Sequence, residues 1–290
     1  DITTVAGDSA VFLSDSSGNW RCLTYQRGAA LSSAGVFTDG LEAYRGDRNG
    51  VAIGQSAGAA SSTAVNVGFF AGNTATGSYA TRLGRHAGYA SAGDNSVMAG
   101  HAAGQYAFSC DRTITIGYLA GRNTTQVSPH YTFDAVIIGS SAAENGTSHQ
   151  SSIKIGPDCG KNATNSPNSV MIGPVAGRDA TTADGCIYIG KWAGLSLSRD
   201  NTLAIDSNTT YSTGNTALIY GEFDNRKIVI NGTLGTVATV VGSLPAAATA
   251  GAGARSFVTD ATATTFMSTV AGGGANKVPV VSDGTNWKIG

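Results

Sequence analysis

The chain has 290 residues, a formal net charge of −1 at pH 7, only 13% charged residues and 40 glycines. A charge so near balance excludes bulk electrostatic attraction to nucleic acid or to an anionic membrane, and this glycine content is unlike that of an ordinary enzyme. Nor does the sequence contain an uninterrupted apolar run of the 18 or so residues that a membrane-crossing helix needs, so no membrane insertion is expected.

Residues 1–27 read as part of a small β-module whose twin stands at the other end of the chain. Thr4-Val5-Ala6-Gly7 precedes an apolar run, then Ser14-Asp15, a turn and Asn19-Trp20-Arg21. Thr269-Val270-Ala271-Gly272 precedes Val278–Val281, then Ser282-Asp283, Gly284 and Asn286-Trp287-Lys288. Asp283-Gly284-Thr285-Asn286 between two apolar runs is a hairpin signal, because Asp and Asn bond the local backbone and Gly accepts a positive φ. Trp20 and Trp287 are expected to anchor the cores of these hairpins. The duplication presents the intervening chain as a cassette between copies of a connector and implies further chain upstream of Asp1. Residues 28–50 form a connector, with short strands at Phe37–Gly40 and at Leu41–Tyr44, and turns at Asp39 and Asp47.

Over residues 51–206 one phrase is written ten times. Its clearest copies are Val51-Ala52-Ile53-Gly54, Ile114-Thr115-Ile116-Gly117, Val170-Met171-Ile172-Gly173 and Ile187-Tyr188-Ile189-Gly190, each followed by two residues and Ala-Gly. The first glycines, Gly54, Gly68, Gly84, Gly100, Gly117, Gly139, Gly156, Gly173 and Gly190, with Asp206 closing the series, are spaced 14, 16, 16, 17, 22, 17, 17, 17 and 16 residues apart. The positions one and three before each glycine are almost purely aliphatic. The position between them, Ala52, Asn66, Arg82, Met98, Thr115, Ile137, Lys154, Met171, Tyr188 and Ala204, follows no hydrophobicity rule.

Such alternation predicts three-residue strands with the aliphatic side buried and the middle residue free. One strand this short cannot offset the entropy of ordering its rung, so the copies must stack into a coil. Rungs of about 16 residues, each rising about 4.8 Å, give a coil of roughly 45 Å. The nine glycines are read as structural turn residues, where a Cβ would be strained. Three residues after each stands a small residue, among them Ala57, Ala103, Cys159 and Ala193, implying that backbones press together at a corner of the coil or against a neighbouring chain. Cys159 and Cys186 fall in small-residue columns and read as buried packing thiols, whereas Cys22 and Cys110 lack partners at any metal-ligand spacing.

The longest interval, from Gly117 to Gly139, holds its surplus in residues 122–134, and insertions in a coil bulge outward, often on the binding face. His130, Tyr131 and Phe133, joined by Tyr106 and Phe108 from the preceding rung, are therefore the candidate receptor- or glycan-binding residues; the competing reading has these aromatics folded back as packing. Residues 207–232 read as a β exit segment with strands at Leu218–Gly221 and Lys227–Gly232, residues 233–253 as a neck or linker, and 254–290 as a C-terminal small β-module.

The Val51–Gly54 phrase and its variants resemble the repeats of trimeric autotransporter adhesin heads, which form left-handed parallel β-rolls packed as trimers. The fuller form with Ala-Gly, ending in Asn201–Asp206 and then Ala217–Gly232, is similar to repeat regions of phage tail fibres, and Ala254–Ala261 resembles part of a small domain that ends many such fibres. About 180 residues carry the resemblance, which is specific for architecture and weak for activity. It implies an all-β, elongated homotrimer built on a parallel β-roll or β-solenoid at residues 51–206, flanked by small β-hairpin modules. It further implies a virion component assembled in the reducing host cytoplasm, whose partners are its own copies, upstream fibre domains, and a bacterial surface glycan or outer-membrane receptor. The alternatives are a passive fibre spacer, a bacterial trimeric adhesin, and a glycan-cleaving tailspike. An adhesin would need a heptad stalk and a membrane anchor, and residues up to Gly290 contain neither.

No enzyme activity, cofactor or metal is expected. Glycan cleavage needs two carboxyls about 5 to 10 Å apart, and Glu42, Glu144 and Glu222 are far apart in sequence, with nothing to mark a pair. Gly54-Gln55-Ser56-Ala57-Gly58 has the letters of a nucleophile elbow but is one copy of the repeat. His86, His101, His130 and His149 occupy different rung positions and read as surface or turn histidines. Lys and Arg are scattered, so no nucleic-acid stripe is formed.

Overall fold

The structure, a computed structural model, describes residues 50–58, 63–108, 110–124, 134–207 and 216–290, together with the backbone of four earlier strands. The chain divides into two compact units, residues 1–231 and 232–290.

In the first unit, Ser9–Ser14 (β1) and Trp20–Gln26 (β2) pair antiparallel, which is the first predicted hairpin. Gly35–Phe37 (β3) and Leu41–Tyr44 (β4) also pair antiparallel, and β4 joins the first strand of the repeat. Ten strands follow, β5 to β14: Val51–Ile53, Val65–Val67, Thr81–Leu83, Val97–Ala99, Ile114–Ile116, Val136–Ile138, Ile153–Ile155, Val170–Ile172, Ile187–Ile189 and Thr202–Ile205. Each pairs in parallel with the next, in strict register, so Val136 opposes Ile114 on one side and Ile153 on the other. The expected parallel β-solenoid is present, and the chain is nearly all-β. Ile219–Glu222 (β15) and Lys227–Ile230 (β16) then turn back antiparallel and extend the same sheet beyond β14.

The inside and outside of the coil are the reverse of the sequence expectation. In every strand from β5 to β13 the middle residue is the buried one, whereas the aliphatic neighbours are half-buried or exposed. The reason is geometric. A rung of 16 to 17 residues closes on a space about one side chain wide, and a three-residue strand with its middle residue inward must aim its two ends outward. The remaining interior is filled by small residues from the other sides of the rung, including Ala64, Ala103, Cys159, Ser169 and Ala193. The small-residue column thus lies inside the coil. Cys110, Cys159 and Cys186 are all buried free thiols, and burial pushes the Cys110 and Cys159 thiols up to about 12.

Two glycine columns make this packing possible. Gly117, at φ +135, would place a Cβ 2.5 Å from the carbonyl oxygen of Gly139 in the next rung. Gly160, at φ +61, faces inward instead, and its Cβ would meet Lys154 Cδ at 2.6 Å. The first column lets rungs stack; the second leaves room for the long side chains of the middle column. Between the strands the turns are stacked too, with Gly100 N donating to Leu83 O at 2.8 Å and Gly104 N to Ala120 O at 2.8 Å.

Polar middle residues survive inside because the coil supplies partners. Arg82 donates from Nη1 to Asn66 Oδ1 and from Nη2 to Gly77 O, both at 3.3 Å. Lys154 Nζ donates to Ser152 Oγ at 2.9 Å and Ser166 O at 3.4 Å, and His149 Nδ1 lies 3.2 Å from Ser166 Oγ. His149 is fully buried, which corrects its reading as a surface histidine. Burial pulls the Lys154 ammonium down to about 7, and burial followed by the charge of Lys154 pushes His149 well below the ordinary imidazole range.

In the second unit, Ala238–Thr239 (β17), Arg255–Ala261 (β18), Asn276–Ser282 (β19) and Trp287–Ile289 (β20) form a sheet in that order. Asp283 Oδ1 accepts from Thr285 N at 2.8 Å and Asn286 N at 2.6 Å, as the hairpin reading requires. Trp287 is buried in the core, with Nε1 donating to Pro245 O at 2.8 Å. The twin residue Trp20 has its side chain outside the described residues. Part of the stretch expected as neck belongs to this unit: β17 pairs with β18, and Ala247 of the short helix Ala247–Ala250 (α1) packs in the same core.

Two outcomes follow. Gly117→Ala is expected to destabilise the coil by about 3 kcal/mol or more, since both its φ and the contact with Gly139 are incompatible with a Cβ, while Gly235→Ala, which meets nothing within 4 Å, is expected to stay within about 0.5 kcal/mol. Thermal unfolding followed by circular dichroism at fixed protein concentration reads both; equal midpoints would mean that the rungs are not stacked this tightly. Lys154→Met, which inserts the residue the same column carries at Met98 and Met171, is expected to stabilise by about 1–4 kcal/mol at pH 7. Because the folded Lys154 titrates near 7 and the unfolded one near 10.5, the unfolded state binds the extra proton between those values. Stability of the unsubstituted chain should therefore rise from pH 7 toward pH 10, and the Met variant should lose that slope.

Candidate recognition surfaces

Three surfaces of the coil stand out. The first is the pair of aliphatic ladders flanking the middle column. Val51, Leu83, Val97, Ile114, Ile116, Ile153, Ile155, Ile172 and Ile189 are each 36–42% exposed. Because β5 to β14 stack in register, these side chains line up into two columns along ten rungs, apolar at every position but Thr81, about 45 Å at roughly 4.8 Å per rung.

The second is a run of rings across β6 to β9, at the corner just beyond the strands. Phe69 and Phe70 meet edge to face at 4.4 Å; Phe70 approaches His86 at 5.5 Å, His86 approaches Tyr89 at 5.7 Å, and Tyr89 approaches Tyr106 at 5.5 Å. A branch continues from His86 to His101 at 6.2 Å and from His101 to Tyr118, stacked at 5.3 Å and 21°. Arg85 lies over the Phe69 ring at 5.7 Å. Partial burial, then the charges of Arg85 and His101, hold His86 below the ordinary imidazole range.

The third surface occupies the same corner in later rungs and is ionic. Glu144 accepts from Arg122 and Lys161, each at 2.9 Å, and Arg178 stands 3.7 Å from Asp158. Burial opposes ionisation of Glu144, but the hydrogen bonds from Lys161 and Ser141 outweigh it and keep the carboxyl below its usual range. Beside these pairs runs an amide ladder, Asn123 to Asn145 to Asn162 to Asp179, with contacts of 3.1, 3.4 and 2.8 Å.

Of the residues singled out from the sequence, Tyr106 is 44% exposed and stands in the ring run. Phe108 is exposed and joins none of the ring contacts among the described residues. His130, Tyr131 and Phe133 lie outside the described residues. Sequence reasoning missed Phe69, Phe70, His86, Tyr89, His101 and Tyr118, because they are spread over three different positions of the repeat and fill none of them throughout. Among the described residues no group of three or more His, Cys, Asp or Glu side chains is arranged to hold a metal ion. A cavity of about 300 Å³ at the far end of the coil is lined by Leu203, Phe223, Arg226 and Ile228 among others. Set beside known proteins, the chain matches no family model, no curated sequence and no solved structure.

Proposed function

We propose that this chain is a homotrimeric segment of a bacteriophage tail fibre that recognises the bacterial surface by multivalent, non-catalytic binding. The observation that carries the reading is the pair of exposed aliphatic ladders. Monomeric soluble proteins rarely expose contiguous apolar patches beyond a few hundred Å². A face built from the same residues every 14 to 22 positions, in register over ten rungs, is matched most simply by a surface with the same period, which is another copy of the chain. Three coils facing one another would bury the ladders in a shared dry interior. The receptor-binding half of the reading is supported by the resemblance of the repeats to fibre and adhesin sequences and by the exposed rings on the outer corner. Three identical patches on one stiff support raise the effective concentration at a repetitive cell surface, so weak single contacts sum to useful avidity.

Light scattering on the purified chain is expected to give three times the 29.2 kDa chain mass, and a monomer mass would sink the trimer. Paired substitution of Ile116→Asp and Ile155→Asp puts like charges onto the ladder and is expected to abolish the trimer. For recognition, the purified protein is expected to adsorb to a susceptible strain within a panel of bacteria and to block phage attachment to it. Adsorption to none of them would leave the passive-spacer reading in its place.

A further inference from the structure

We infer that the ring run across β6 to β9 is a carbohydrate-binding track that takes an extended polysaccharide lying along the coil; the inference rests on the receptor-binding reading and names the ligand class of that surface. Four observations carry it. The coil does not require rings at this corner, since the positions of Phe69 and Tyr118 are filled by Ser140, Pro157 and Pro174 in later rungs, and that of Tyr89 by Glu144, Lys161 and Arg178.

Two of the rings are also held against local preference. Tyr106 has φ +56, a left-handed conformation that later rungs give to Asn123, Asn145 and Asn162, the residue type that tolerates it best. Phe70 has φ +56 too, at a position that holds Ser56, Ser141 and Asp158 in some rungs and Leu119, Val175 and Trp192 in others. At the Tyr106 position a bulky ring works against the backbone where later rungs carry Asn, which points to a use other than folding.

The chemistry of the track selects the ligand. Tyr106 and Tyr118, 44% and 55% exposed, offer flat apolar faces with a hydroxyl at the rim, and His86, His101 and Arg85 add hydrogen-bonding groups between them. A pyranose ring has this same pairing of apolar face and polar edge. Successive ring centroids along the track are 5.3–6.2 Å apart over four rungs once the adjacent Phe69–Phe70 pair is set aside, a spacing comparable to one sugar ring, so a chain of sugars can meet several rings in turn. An aliphatic protein segment would find the ladders a better match than this ring-and-imidazole corner.

The test uses the full chain and the double variant Tyr106→Asn with Tyr118→Ser, residues that the coil itself carries at the equivalent positions. Both proteins are applied to an array of purified bacterial surface polysaccharides, neutral and acidic, and compared in thermal stability and mass. The parent is expected to bind at least one polysaccharide, and the variant to bind it about tenfold more weakly or worse, with mass unchanged and stability equal or higher. Acidic chains binding better than neutral ones would assign Arg85 to the ligand's charge; equal binding would assign recognition to the rings alone, and both support the track. Three results overturn it: no polysaccharide bound, affinity unchanged in the variant, or a variant that dissociates into single chains, which would make the rings a chain–chain contact. If the parent still adsorbs to cells in any of these cases, the receptor-binding reading stands and only the track falls.

Discussion

Everything in the coil depends on the approach of one glycine to the next. The first glycine of each rung sits so close to its successor that a Cβ on Gly156 would lie 2.6 Å from Gly173 O, and no side chain can occupy that corner. Parallel strands only three residues long pair too little backbone to set a register alone, and the stacked corners supply what they lack. Gly117 N donates to Ala99 O at 2.8 Å and Gly139 N to Ile116 O at 2.8 Å, so the hydrogen-bond ladder passes through the turn. Register, once fixed at the corner, fixes every other column on the rung.

A coil this narrow has a single inward side chain per strand, and that explains its tolerance of polar residues. Arg82, Asn66, Lys154 and Thr115 would be anomalous in an ordinary core. Here the inward-facing carbonyls of neighbouring turns lie within reach, and Asn66 Nδ2 finds Gly58 O at 3.2 Å. The second glycine column completes the arrangement by leaving a gap beside each long side chain. At Gly194 a Cβ would meet the ring of Tyr188 at 2.5 Å.

The repeat, the parallel coil, the short strand Leu41–Tyr44 and the C-terminal hairpin were legible in the sequence, most of them through a periodic or turn-chemistry signal, whereas the strand expected at Phe37–Gly40 lies at Gly35–Phe37. Which side of the strand faces inward was not. Period-two alternation separates two faces without saying which encloses the coil and which awaits another surface, and the aliphatic face was the natural assignment for the interior. The irregular middle column carried the missing clue: an outward column in a glycine-rich coil has no reason to pair Met98, Lys154 and Tyr188 each with a glycine six residues later. The left-handed column holding Asn123, Asn145 and Asn162 was similarly readable in retrospect, as these residues favour that conformation. The candidate site was legible only at Tyr106, found as a neighbour of an insertion.

The outer corner shows how such a coil separates architecture from surface chemistry. Two of its backbone positions are locked in the left-handed region on rung after rung, yet they accept side chains as different as Phe70, Asp158, Trp192 and Asn145. In the rungs of β10 to β12 the corner goes to Glu144, Lys161, Asp158 and Arg178, whose ion pairs bridge adjacent rungs; the Arg178–Asp158 pair is partly exposed and adds only modestly to stability, whereas Glu144 is buried between two cations. In the rungs of β6 to β9 it goes to rings. Since the stacked glycines and the inward column hold both halves in the same register, exchanging ions for aromatics changes the surface without disturbing the coil. The coil thus leaves the identity of the corner residues free, and under the proposed reading it is set by what meets them from outside, which would put structural and functional messages in different columns of the same repeat.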